Sequence, residues 1–296
     1  MIREGPGHAG GGAGAVRDLT VVIACRDDPR VFAAVASVRG EAPVVVALVP
    51  DPVLQAGLLT QGVRVVASVP GNTSVSCARG LAAVRTGRAF IIDSDCIVRP
   101  GCLARMSALL DGAVLARARV HFSSDARVRC SGRIARLRDG VNNRTPVPAY
   151  TPGLGLRLDV APVLGGHVFD ERVFWAGDSE LWRRARRAGL EVAYDPEAVI
   201  EHAPISLGHE MRSAFKLGMG TRVQVRLGLR PAYESPAWLA RRLLGRLRPR
   251  RKSCPSEPPR PRPAPGTRLL ALAWTVVYYA GYYAPAGLTR RGSRSE

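Results

Sequence analysis

The stretch that most restricts the fold of this chain is Arg88 to Cys96, R-A-F-I-I-D-S-D-C. A short apolar run, Ala89-Phe90-Ile91-Ile92, ends in two carboxylates at alternate positions, Asp93 and Asp95. A run of this length, β-branched at its end, predicts a buried strand. Along a strand, residues i and i+2 point to the same face. Both carboxylates therefore face one point at the strand's C-terminal end, where open α/β sheets place their ligands. Two carboxylates there suit a hard divalent cation, and a cation suits a phosphate ligand. Asp-Ser-Asp is also good turn chemistry, and the triplet alone favours the reading of a surface turn after a strand.

The surrounding pattern repeats the strand signal. Leu19–Cys25, Pro43–Val49 and Val63–Val69 read as strands, with the turn Arg26-Asp27-Asp28-Pro29 after the first. Val31–Val38, Ser74–Arg85 and Cys102–Leu110 read as helices between them. Strands alternating with helices predict an α/β fold: a mostly parallel, three-layer sheet with helices on both faces. Further on, Val114–Phe122 and Leu154–Leu158 read as strands, Ser179–Ala188 as a helix and Glu191–Tyr194 as a short strand. Met211–Leu229 reads as a basic helix.

The formal net charge of +19 invites a nucleic-acid reading. It is discounted in part, because every basic residue but Lys216 and Lys252 is Arg, as a GC-rich coding bias would give. Nor does any aromatic-interleaved basic strand of the RNA-recognition kind occur. The charge is concentrated: from Arg212 to Arg268 there are 15 Lys/Arg against Glu234 and Glu257. The six cysteines show neither C-x-x-C nor zinc spacing, which fits free thiols in a reducing compartment. Met1–Ala15 is Gly-rich without an apolar signal-peptide core and reads as a disordered leader.

A second informative segment runs from Gly165 to His202. It holds Gly165-Gly166, Phe169-Asp170-Glu171, the acidic helix start Gly177-Asp178-Ser179-Glu180, an Arg-rich helix, then Gly189, a strand, Asp195-Pro196 and His202. In this order the segment resembles the acceptor half of a family 2 glycosyltransferase with the GT-A fold. The first half resembles the same family, with Thr20–Asp27 as its first nucleotide-binding strand and Asn72–Gly87 as its Asn/Arg-bearing helix. Asp93-Ser94-Asp95 stands as its DxD motif. The likeness covers roughly residues 18 to 225 and rests on joint order and spacing.

The resemblance implies inverting transfer of a sugar from a nucleotide-sugar donor to a hydroxyl acceptor, helped by Mn²⁺ or Mg²⁺. It implies Asp95 as a metal ligand, Asp93 on the ribose or the metal, and His202 as a further ligand. Asp51 and Arg79 would hold the nucleotide, and Gly165 and Gly166 would allow close approach of backbone to the sugar. Asp178 is the candidate general base. The family's acidic motif has Glu where this chain has Gly177, so Glu180 stays a second candidate. The Gln-x-x-Arg-Trp signature of processive members is missing, which points to single additions. Independently of the family, Asp178 or Ser179 is good helix-start chemistry, and a diphosphate leaving group gives a Lewis-acid metal its purpose.

These readings divide the chain into a leader (1–17), a GT-A domain (18–230, nucleotide half 18–100 and acceptor half 101–230), and an Arg/Pro-rich linker (231–268). An apolar segment (269–288) and a basic end (289–296) follow. Leu269–Leu288 is uncharged and, as a helix, about 30 Å long, just enough to span a hydrocarbon core. Its tyrosines suit the headgroup region instead, and a helix packed on the domain is the third reading. With the basic tract before it, the expected partner is a membrane surface, the expected location the cytoplasmic face, and the expected acceptor a lipid-linked or cell-envelope glycan. Two rival functions are a nucleotide-binding module docked on nucleic acid and a nucleotidyltransferase. The latter usually needs a Gly-rich phosphate loop that Arg26–Pro29 does not supply.

Overall fold

A computed structural model describes residues 16, 18–143, 146–232 and 265–284. Its strands are β1 (Leu19–Cys25), β2 (Val44–Leu48), β3 (Arg64–Ala67), β4 (Arg88–Asp93), β5 (Cys96–Val98), β6 (Leu115–Phe122), β7 (Leu154–Arg157) and β8 (Ala193–His202). Its helices are α1 (Val31–Ala36), α2 (Pro52–Thr60), α3 (Thr73–Ala82), α4 (Cys102–Gly112), α5 (Ser131–Asn142), α6 (Gly177–Arg187), α7 (Leu207–Arg226) and α8 (Pro265–Tyr283). The leader, the linker to residue 264 and everything beyond 284 lie outside the described residues, so the expectations placed there are not addressed by the fold.

All eight strands form one sheet in the order β3-β2-β1-β4-β7-β6-β8-β5. It is mixed: four of the seven pairings are parallel and three antiparallel. The β3-β2-β1-β4 block is parallel, β7 runs antiparallel to both β4 and β6, and β5 runs antiparallel to β8. The apolar run of β7 carries no sign of strand direction, and the three-residue β5 was not read as a strand, which is why the sequence pattern missed the antiparallel pairings. β4 and β5 are joined only by Ser94 and Asp95, yet stand fourth and eighth in the order. So short a connection forces the sheet to curl until its far edge meets its middle.

Strand alternation sorts the core onto both faces. Leu19, Val21, Ile23, Phe90 and Ile92 pack with α1, α2, α4 and α5. Val22, Ala89 and Ile91 face α3 and α6 on the other side. Helix starts follow local chemistry: the side chains of Asp51, Asn72 and Ser206 accept from backbone N–H groups opening α2, α3 and α7.

Among the described residues no helix is long and apolar enough to cross a membrane. The described part of 269–288 lies in α8. Leu270 joins the core cluster, and Tyr279 and Tyr282 are buried. α8 packs along α7 at glycine distance: a Cβ on Gly218 would collide with the Tyr278 carbonyl, and one on Gly281 with that of Phe215. Tyr278 also donates from its hydroxyl to Thr221 Oγ1 at 2.8 Å.

Candidate active site

A cleft of about 570 Å³ opens at the C-terminal ends of β1 and β4. The β1–α1 turn, the start of α3, the β4–β5 turn, Trp175–Asp178, the end of β8 and one face of α7 all line it. Asp93, Asp95, Asp178 and His202 meet there. Glu180, Asp51, Arg79, Gly165 and Gly166 do not line it.

The position of Asp95 is fixed from two sides. Asp93 ends β4 in register with Ala24 of β1, and Cys96 begins β5 opposite His202 of β8. His202 Nε2 therefore sits 3.6 Å from an Asp95 oxygen. Its Nδ1 lies 2.8 Å from the Ala203 carbonyl. A carbonyl can only accept, so Nδ1 carries a proton, and Nε2 is the ring nitrogen turned toward the carboxylate. Asp95, Cys96 and His202 offer ligand atoms within 4.8 Å of one another, a grouping able to hold a metal ion.

Arg30 and Asp28 form the opposite wall. Arg30 Nη2 lies 3.5 Å from Asp95, and its Nε donates to Asp28 at 2.9 Å. Ser94 Oγ donates to the same Asp28 carboxylate at 3.2 Å. Burial alone would raise the Asp28 pKa; the bonds from Arg30 outweigh it and hold the carboxyl below its ordinary range. Neither residue stood out in the sequence beyond a turn, because the contact with Asp95 depends on the β1–β4 register.

Asp93 and Asp178 are half-buried carboxylates lining the cleft. Burial, and then the charge of Asp95, pushes Asp93 up to about 6. Burial raises Asp178 as well, against the Ser179 N–H that donates to it at 2.7 Å. The N-cap of α6 is Ala176, held at φ 61° without a side-chain bond, so neither Asp178 nor Ser179 caps the helix. α7 backs this strained residue. Gln224 Nε2 donates to the Ala176 carbonyl at 2.8 Å, and Gly220 lies directly against the Trp175 backbone.

Two arginines balance the acids. Arg117 of β6 is wholly buried and donates to the carbonyls of Tyr150 and Pro152, each at 2.6 Å. Burial pulls its pKa down to about 10, with Asp178 as the strongest opposing charge. Arg138 of α5 lines the cleft and is held by the buried carboxylate of Glu210, 2.8 Å away. Arg117 was invisible in the sequence: Arg117, Arg119 and His121 alternate as a solvent face would, but the segment after α5 covers only the first.

The remaining sequence candidates have structural work. Asp51 accepts from Val53 and Leu54 N–H at 3.0 Å as the cap of α2. Arg79 donates to the Ala67 carbonyl. Gly165 and Gly166, at φ 84° and 92°, make a left-handed turn that favours glycine. Glu180 is 1% exposed and bonded to Arg184, which also ties down the Leu164, His167 and Val168 carbonyls.

No family model matches this chain, and no curated protein does. Solved structures do resemble it. The structure of GalNAc-T7 with UDP, GalNAc and Mn²⁺ aligns with a TM-score of 0.51 at 13% identity, over 70% of this chain and 47% of that one. Glucosyl-3-phosphoglycerate synthase from Mycobacterium tuberculosis, in complex with Mn²⁺, UDP and phosphoglyceric acid, aligns with a TM-score of 0.53 at 18% identity. There the match covers 75% of this chain and 82% of that one. The chain spans less than half of the GalNAc-T7 structure. At such identities the likeness establishes the fold: this is a GT-A-like α/β protein whose structural neighbours are glycosyltransferases.

Proposed function

We propose that this chain is an inverting, non-processive glycosyltransferase that uses a nucleotide-sugar donor and a divalent cation. One observation carries the reading: on a GT-A-like fold, Asp95 and His202 face each other at 3.6 Å in the cleft that also receives Asp93 and Asp178. The donor set fits a hard or borderline cation, with a carboxylate oxygen and an imidazole lone pair as ligands. Bound there, Mn²⁺ or Mg²⁺ would supply Lewis-acid stabilisation of the leaving diphosphate. The neighbouring structures were solved with Mn²⁺ and UDP, which supports the same ion and donor class here.

The chain's own residues account for the rest. Asp178, its pKa raised by burial, takes the proton of the acceptor hydroxyl as that oxygen attacks the anomeric carbon. The bond to the diphosphate breaks on the opposite face, and its negative charge develops among Arg30, Arg138 and His209, all in the cleft. The sequence's lack of the processive signature supports single additions, and its basic tract supports a lipid-linked or cell-envelope acceptor at the cytoplasmic membrane face.

A panel of sugar nucleotides with Mn²⁺ or Mg²⁺, assayed for nucleoside diphosphate release, tests the reading. We expect one donor to turn over, EDTA to stop it, and Asp95→Ala to abolish it with the melting temperature unchanged. Full turnover by Asp95→Ala would remove the metal role, and no turnover of any donor would remove the activity.

A further inference from the structure

The outer face of α8 is apolar and exposed. Leu269, Val276 and Tyr283 are 68%, 51% and 45% exposed, and Ala273 and Ala280 lie exposed between them. Steps of four and three residues put all five on one stripe of the helix. The inner face is already occupied by α7. α8 has no acidic residue, and Arg268 is its one charge. Beside its start, α5 presents exposed Arg133 and Arg136, and Gly266 rests against the Arg133 guanidinium. The sequence from 233 to 264 adds nine Lys/Arg against Glu234 and Glu257, with Trp238, Leu243, Leu244 and Leu247 among the arginines.

We propose that α8 docks flat on an anionic lipid bilayer, its stripe set between headgroups and acyl chains and the flanking arginines on lipid phosphates. An apolar stripe alone would equally suit a second copy of the chain. Charge decides between them: at +19 a second copy is repelled, whereas an anionic surface is attracted. α7 packs on α8 and lines the cleft with His209, Ser213 and Leu217, so docking places the cleft about two helix diameters, ~20 Å, from the bilayer. The binding itself does not depend on the enzymatic reading.

The test is sedimentation of the full-length protein with phosphatidylcholine vesicles and with vesicles carrying phosphatidylglycerol, at low and high salt. Binding to the anionic vesicles is expected, weakened by salt. Leu269→Asp/Val276→Asp should weaken it about tenfold or more with no change in melting temperature, both positions being exposed. Ala273→Asp, which removes no packed atom, serves as a second variant expected to act in the same direction. Failure to bind anionic vesicles overturns the proposal. So does binding that neither variant weakens, which would assign attachment to the basic tract alone. A melting temperature lowered in both variants would show that the stripe is covered by other parts of this chain. A dimer in light scattering that the variants dissociate would hand the face to a second copy.

Discussion

Asp178 opens into the cleft, whereas Glu180, two residues along the same helix, is sealed against Arg184. The two carboxylates should respond differently to loss of charge. Asp178→Asn should cut kcat on the order of 10²-fold or more while donor affinity holds. Glu180→Gln should cost about 3 kcal/mol of stability by stranding Arg184, with a much smaller effect on rate in whatever protein stays folded. Paired thermal melts and steady-state kinetics separate them; a rate collapse in the Gln variant alone would move the base to Glu180. Asp93 gives a pH signature. Its folded pKa, about 6, lies above the ordinary 3.8. The native state therefore binds the extra proton, and this group's contribution to stability is greatest below about 4 and is lost as pH rises from there through about 6. In metal-free protein the melting temperature should drop from pH 5 to pH 7.5, Mn²⁺ should restore it at the higher pH, and Asp93→Asn should flatten the profile. A profile that is equally steep in the Asn variant would assign it to another group.

At the scale of elements, α7 is the part that joins the site to the rest of the molecule. Its capped first turn carries His209 into the cleft, while Gly220 and Gln224 hold Trp175 and Ala176 just ahead of Asp178. Gly220→Ala would push a methyl into the Trp175 carbonyl, costing about 1–3 kcal/mol and displacing the segment that aims Asp178. The expected outcome is a lower melting temperature with a fall in kcat larger than the change in donor KM, readable from melts and initial rates. Unchanged kinetics would show that α7 only supports the fold. Much of this scaffold was legible. The apolar runs of β1, β2 and β4 declare themselves, as do the helices at 73–82, 102–112 and 177–187. What was illegible depends on contacts between distant segments. β8 was read as ending near Tyr194, because Asp195-Pro196 looks like a breaker. The strand passes it with a register shift opposite Ala118 and Arg119, a bulge that absorbs the missing proline N–H. Likewise DxD and His202 could be paired through the family likeness but not by any local pattern, since only the β5–β8 register brings them together. Asp51 shows the reverse: its strand-end position is legible, and its Oδ1 caps α2.

For the whole molecule, α8 is a packed part of the structure. Leu270, Tyr279 and Tyr282 are buried in it, and it covers α7 along its length. A chain ending at residue 264 should lose several degrees of melting temperature and aggregate, because the α7 face left bare includes the glycine-lined seam. An unaltered melt of that truncation would show α8 to be dispensable. The same packing shows how one apolar helix serves two faces. A helix shared between a protein neighbour and an exposed apolar stripe has the composition of a membrane span, while its buried face follows the spacing of α7.

The two-residue passage from β4 to β5 sets the chain's tolerance to change in length. Most surface connections in a fold of this kind accept an added residue, since closure entropy grows slowly with loop length. Ser94 and Asp95 have no such slack. Inserted there, one glycine would move Asp95 away from His202 or pull Cys96 out of line with β8. The place where the sheet closes on itself is thus where this lineage is least free to gain or lose a codon. A scan of single-glycine insertions, scored for folded yield and nucleotide-sugar turnover, should find its sharpest loss there and near-neutral insertions around Gly40 and Gly62.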